Sequence, residues 1–191
     1  VPVLAATLVA GACRKDPPPP PAPPQVDQDS LQRYRDSVAA AEAAARRAAE
    51  AAAQAEREAE AMRQRMMAEA RATLEAKVYF DYDESELRPD AQNILRDKVA
   101  ILRNSPQVQL RIEGHADERG STEYNLALGN RRAEAVRQFL TGFGLSEARF
   151  AIVSYGEERP EVQGDSESAW ARNRRAEFVI TAGANAINPA N

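Results

Sequence analysis

From Lys77 onward the apolar positions alternate between two periods. Lys77-Val78-Tyr79-Phe80 is a short apolar run that predicts a strand. Leu87, Ala91, Ile94 and Leu95, Val99 and Leu102 then recur at helical spacing, with Pro89 suited to the first turn. Val108, Leu110 and Ile112 alternate with Gln109, Arg111 and Glu113, the pattern of a half-buried strand. Tyr124 to Phe143 returns to helical spacing, with Leu126, Ala133, Val136, Phe139 and Leu140 inward and a stop near Gly142 or Gly144. Phe150, Ile152 and Val153 predict a third strand, Ser168 to Asn173 a short helix, and Ala176 to Thr181 a fourth strand. Strands interleaved with packed helices predict an α+β domain over 77–181, one mixed four-stranded sheet covered by helices. Residues 182–191 read as a flexible tail.

The pattern before Lys77 is different. No Gly or Pro lies between Pro24 and Pro89, and Ala39 to Ala76 holds eighteen Ala among Glu, Arg and Gln. These are strong helix formers, and Asp29/Arg33, Glu42/Arg46 and Arg71/Glu75 add i,i+4 pairs. One helix over 30–76 follows, roughly 70 Å long at 1.5 Å per residue. Its few large apolar residues do not repeat as a heptad seam, so the segment reads as a solvated spacer or a weak Ala-rich coiled coil. Before it, Asp16 to Pro24 carries seven Pro in nine residues and predicts an extended polyproline linker. Val1 to Ala12 is uncharged and rich in small residues, which reads as the remnant of a signal peptide.

Composition removes several functions. Acids outnumber bases by 29 to 25, which argues against a nucleic-acid binder. One His excludes zinc chemistry that needs two imidazoles, and one Cys excludes an internal disulfide. Without a GxSxG nucleophile or a domain thiol, a wall-type hydrolase is a poor fit. No metal or other cofactor is implied. Cys13 follows Gly11 and Ala12 and precedes the Pro run. Small residues before a Cys with no core to join make it a lipidation site, although Ala10 stands where a lipoprotein processing site prefers Leu.

Polar residues collect in three stretches: Phe80-Asp81-Tyr82-Asp83 after a strand, Gly114 to Gly120 after another, and Asn125 to Ala133 on the second long helix. Asp117 and Arg132 are fifteen residues apart, which allows both to face one cleft. The simpler readings are a loop-fixing Asp117, a loop-fixing His115, a solvated Arg131, and Gly114 and Gly129 as backbone relief. A helix-surface Arg132 would be removable without unfolding the domain.

VYFDYDESELRPDA (78–91), IEGHADERGSTEYNLALGNRRAEAV (112–136), VSYGEERP (153–160) and AWARNRRAEFVI (169–180) together resemble the OmpA-like peptidoglycan-binding domain family. Within it the resemblance is to the peptidoglycan-associated lipoproteins of the Tol–Pal system. It covers 77–180 and leaves out the Ala-rich helix. It implies non-covalent binding of the peptidoglycan stem peptide through diaminopimelate, whose free end is a zwitterion. Asp117 then accepts from the ammonium and Arg132 holds the carboxylate. By the same resemblance Phe80, Asp81 and Asp83 line the cleft, Asn125 and Leu126 lie nearby, and Asn173, Arg174 and Arg175 form the rim. The implied setting is the periplasmic side of the outer membrane, anchored by lipid on Cys13, with the wall as partner. A TolB-like periplasmic protein is the alternative partner, on an overlapping surface.

Overall fold

The computed structural model describes residues 27–189. The signal-type segment, Cys13 and the Pro run lie outside the described residues. The chain divides into two units, 1–54 and 55–191. In the first, the described residues are the start of helix α1 (Gln28–Glu75), exposed throughout. The helix is two residues longer at its start than the sequence predicts, and it ends one earlier.

In the second unit the end of α1 leads into strand β1 (Val78–Tyr79), helix α2 (Pro89–Asn104), β2 (Gln109–His115), α3 (Thr122–Gly142), β3 (Phe150–Gly156), α4 (Glu167–Asn173) and β4 (Arg175–Ala182). The sheet order is β1-β4-β2-β3. β2 runs parallel to β3 and antiparallel to β4, and β1 is antiparallel to β4, so the sheet is mixed as the sequence predicts. Alternation places Leu110, Ile112, Phe150, Ala176 and Phe178 in the core with Leu95, Leu102, Ala133, Val136 and Leu140 from the helices. Arg111, Glu113 and His115 fall on the other set of β2 positions.

Helix ends follow local chemistry. Pro89 opens α2 behind an extended Arg88. Ser121 caps α3 by accepting from the Tyr124 N–H at 3.3 Å, and Ser166 does the same for α4 through Ala169. The last carbonyls of α2 and its exit turn are gathered by Arg149, which donates to Leu102, Ser105 and Val108 at 2.7–3.0 Å. At the end of α1 the donor is Lys98. Its side chain is fully buried, and Nζ donates to the carbonyls of Thr73, Leu74 and Ala76 at 2.6–2.9 Å. Lys98 thus gathers three carbonyls at the end of α1, of which Thr73 also accepts from the Ala76 N–H at 3.3 Å.

Three expectations change. Ala70 and Leu74 are buried in the core, so helix and domain share residues instead of meeting at Lys77. The segment from 182 is not a free tail as far as residue 189: Ile187 is buried, and Asn188 exchanges hydrogen bonds with Ser105 and donates to the Asn104 carbonyl. Its composition hides this, because one Ile among Ala, Asn and Gly is the entire apolar signal. Gly114 and Gly129 relieve no backbone strain. A Cβ on Gly114 would lie 1.8 Å from the Gly129 carbonyl oxygen, so both are absent side chains that let α3 lie directly on β2.

Candidate functional site

The turns that follow β1 and β2 and the first three turns of α3 surround a pocket of about 120 Å³. Its lining is Tyr82, Asp83, Asp117, Arg119, Gly120, Tyr124, Asn125, Leu128 and Arg132. A larger groove of about 290 Å³ between α1 and α2 is lined by Glu69 and Asp97 but by no base. It cannot take both ends of a zwitterion, and the smaller pocket can.

Asp117 and Arg132 do line one cavity, both buried. Asp117 follows the end of β2, where Ala116 still donates to the Gly156 carbonyl at 2.8 Å. Its Oδ1 accepts from the Arg119 backbone N–H and Nε, each at 3.2 Å. Its Oδ2 accepts from Arg119 Nη2 at 2.7 Å and Arg174 Nη1 at 3.3 Å. Burial alone would raise this carboxyl, but the bonds from Arg119 and Arg174 outweigh it and hold it below the usual carboxylate range.

Arg132 corrects the expectation of a helix-surface side chain: its exposure is 0%. Nε donates to the Glu84 carbonyl at 2.8 Å, Nη1 to His115 at 2.7 Å and Nη2 to Asp81 at 3.1 Å. Its guanidinium carbon lies 5.2 Å from the Phe80 ring centroid. Burial pulls the group down to about 10, with the Asp117 charge acting in the opposite direction. Five N–H donors facing three protein acceptors leave two for a ligand. Arg131, the next residue, is exposed, with its guanidinium 5.5 Å from the Tyr124 ring.

The other expected site residues divide. Asp83 lines the pocket with φ 57° and accepts from the Tyr124 hydroxyl. Asn125 also lines it, fixed by a 2.6 Å bond to Glu157. Phe80 is buried beneath Arg132, not on the pocket wall. Asp81 is exposed, contributes its carbonyl to Arg132, and turns its carboxylate toward Arg88 at 3.5 Å. Leu126 does not line the pocket; its carbonyl accepts from Ser154, and Leu128 takes the wall position.

The rim assignment is overturned by burial. Asn173, Arg174 and Arg175 are all under 7% exposed. Asn173 binds the backbone at Glu161 and Val162, and Arg175 pairs with Glu177 at 2.6 Å. Only Arg174 reaches the site, through Asp117.

Sequence reasoning gave no role to Arg119, Tyr82 or Tyr124, although the first two stand in the polar stretches it singled out. Arg119 sits between the Tyr82 and Trp170 rings, 3.9 and 4.1 Å from their centroids, and bridges to Asp117. Its sequence signal was its place in the Gly114–Gly120 stretch, two residues after Asp117.

Among the described residues, Glu113, His115 and Glu177 form the one group whose ligand-type atoms lie within 4.8 Å of one another. Arg111 already pairs with Glu113, and Arg175 and Lys77 with Glu177. A divalent cation there would face three cationic side chains. Burial, then the Arg175 charge, lowers the His115 imidazole to about 4, so it is neutral at ordinary pH.

The sequence of this α+β domain matches a known family. The OmpA family model covers residues 79–174, and the chain belongs to that family. Peptidoglycan-associated lipoprotein from Brucella melitensis is 48% identical over 104 residues, 54% of this chain and 62% of the relative. The protein of that name from Pseudomonas aeruginosa is 50% identical over 100 residues, 52% of this chain and 59% of the relative. The chain thus spans about three fifths of the length of these relatives. The crystal structure of the peptidoglycan-associated lipoprotein from Burkholderia pseudomallei superposes with TM-score 0.54 at 44% identity, over 55% of this chain and 89% of that one.

Proposed function

We propose that this chain binds the peptidoglycan stem peptide non-covalently, through the zwitterionic end of diaminopimelate. The observation that carries this reading is a single small pocket lined by a buried acid and a buried base. Asp117 receives the ammonium, and the two remaining N–H groups of Arg132 receive the carboxylate. Tyr82 and Tyr124, 56% and 44% exposed, flank the mouth and supply apolar area for the peptide. The names of the relatives support the same partner. With lipid on Cys13, the chain would tether the outer membrane to the wall, as a binding protein without bond chemistry. The exposed tyrosines also suit a second reading, in which a TolB-like periplasmic protein docks over the same mouth.

Calorimetry with the full chain tests the assignment, using stem peptides that carry diaminopimelate or Lys. Charge-assisted hydrogen bonds are worth about 1.5–3 kcal/mol, so Asp117→Asn should weaken binding roughly ten- to a hundred-fold. The Lys-type peptide lacks the side-chain carboxylate and should bind more weakly by a similar factor. Equal binding of the two peptides would overturn the role given to Arg132.

A further inference from the structure

An ionised carboxylate offers about four lone-pair sites. Asp117 has four N–H donors on its two oxygens, three of them from Arg119 and one from Arg174. The acid proposed to receive an ammonium is therefore already saturated. A ligand cation can bind only where one of these donors leaves.

The four are not equally free to do so. Arg174 is buried and also donates to the Phe80 carbonyl at 3.2 Å and to Glu167 at 2.7 Å. The Arg119 N–H belongs to the backbone. The Arg119 guanidinium is different: its side chain is 28% exposed, and it lines the pocket itself. A second acid stands next to it, since Arg119 Nη1 lies 3.7 Å from Glu167 Oε2, and that Glu167 side chain is 64% exposed. The guanidinium carbon lies over both the Tyr82 and Trp170 rings, 3.9 and 4.1 Å from their centroids. A planar cation between two rings can slide toward Glu167 without losing its stacking.

We infer that Arg119 is a built-in competitor for the ammonium subsite, a cation that occupies Asp117 in the empty domain and moves to Glu167 when ligand enters. This rests on the reading that Asp117 receives the ligand's ammonium. The consequence is selectivity. A ligand with an ammonium alone must displace Arg119 from Asp117 and keeps only part of that contact's worth. A ligand that brings a carboxylate for Arg132 as well gains a contact that Arg119 does not offer.

The test uses the full chain, the diaminopimelate stem peptide, and Asp117→Asn, Arg119→Gln and Glu167→Gln. Arg119→Gln removes the competing charge and should bind about tenfold tighter, the scale of one charge-assisted hydrogen bond. Glu167→Gln keeps an acceptor for Arg174 but weakens the landing site, and should bind more weakly than wild type. Trp170 is the only Trp in the chain, so its emission reports the position of Arg119 directly. Peptide titration should change that emission in wild type and leave it unchanged in Arg119→Gln.

If wild type binds and Asp117→Asn does not, but Arg119→Gln binds no tighter, the competitor role is wrong and the site assignment stands. If wild type does not bind, or Asp117→Asn binds equally well, the site assignment falls and the competitor role falls with it. Should Arg119→Gln fail to fold, the wild-type titration decides: calorimetric binding with no change in Trp170 emission overturns the inference.

Discussion

Arg132→Ala is expected to cost stability as well as binding. The substitution removes three hydrogen bonds to main-chain carbonyls. They are not equivalent, because the bond to His115 is buried and those to Asp81 and Glu84 are only partly so. A buried acceptor left unpaired costs about 1–3 kcal/mol, whereas an acceptor that water can reach costs about 0.5–1.5 kcal/mol. The three together give about 2–6 kcal/mol, set against a typical domain stability of about 5–15 kcal/mol. Urea unfolding followed by Trp170 emission reads the folded domain without the signal of α1. The midpoint should fall sharply with the slope unchanged. Arg132→Lys should recover only part of the loss, since an ammonium cannot reproduce the planar fork. An Arg132→Ala variant within about 0.5 kcal/mol of wild type, the range of ordinary surface substitutions, would refute the burial argument and return Arg132 to the helix surface.

Acid should destabilise the domain before its carboxylates titrate. The His115 imidazole is lowered to about 4 in the fold, against about 6.5 unfolded, so the unfolded state binds the extra proton between these values and stability falls as pH drops from 6.5. The full loss by pH 4 is about 3 kcal/mol, and urea midpoints of wild type and His115→Gln should differ in slope between pH 4.5 and 6.5. Below that window Asp117, Glu161 and Glu177, all held low, add their own losses. Gly114→Ala should cost about 4 kcal/mol or more, read by the same melts, because the new Cβ meets the backbone of α3. Lys98→Met should loosen the end of α1 by removing the side-chain donor shared by the Thr73, Leu74 and Ala76 carbonyls, seen as faster amide exchange around 73–77.

Much of this was legible in the sequence, for definite reasons. Helices α2 and α3 and strand β2 carry strong periods, and the helix ends agree within a few residues because Pro89 opens α2 and Gly142 and Gly144 close α3. The pairing of Asp117 with Arg132 came from motif resemblance, and the pocket contains both. The burial of Arg132 was not legible, since period alone cannot say what lies over a helix face. Here the 81–84 turn covers it, and that turn arrives from 48 residues earlier in the chain. Arg174 was hidden for a similar reason: a run of Asn-Arg-Arg reads as a solvated rim until strand pairing carries it under the β1 turn.

The joint between α1 and the domain has a mechanical side. Besides the packing of Ala70 and Leu74, tension arriving along α1 meets two hydrogen-bonded linkages in turn. The first is Lys98, where three hydrogen bonds converge on one nitrogen anchored in α2. The second is β1, a two-residue edge strand paired with β4 only at Val78–Ala176 and Tyr79–Arg175. A short edge strand pulled at its end can yield one pair at a time, whereas withdrawing the single Lys98 nitrogen releases all three of its bonds at once. A pulling experiment should therefore place the rupture force of the loaded domain on one lysine side chain, with the strand behind it giving way at lower force once that latch opens.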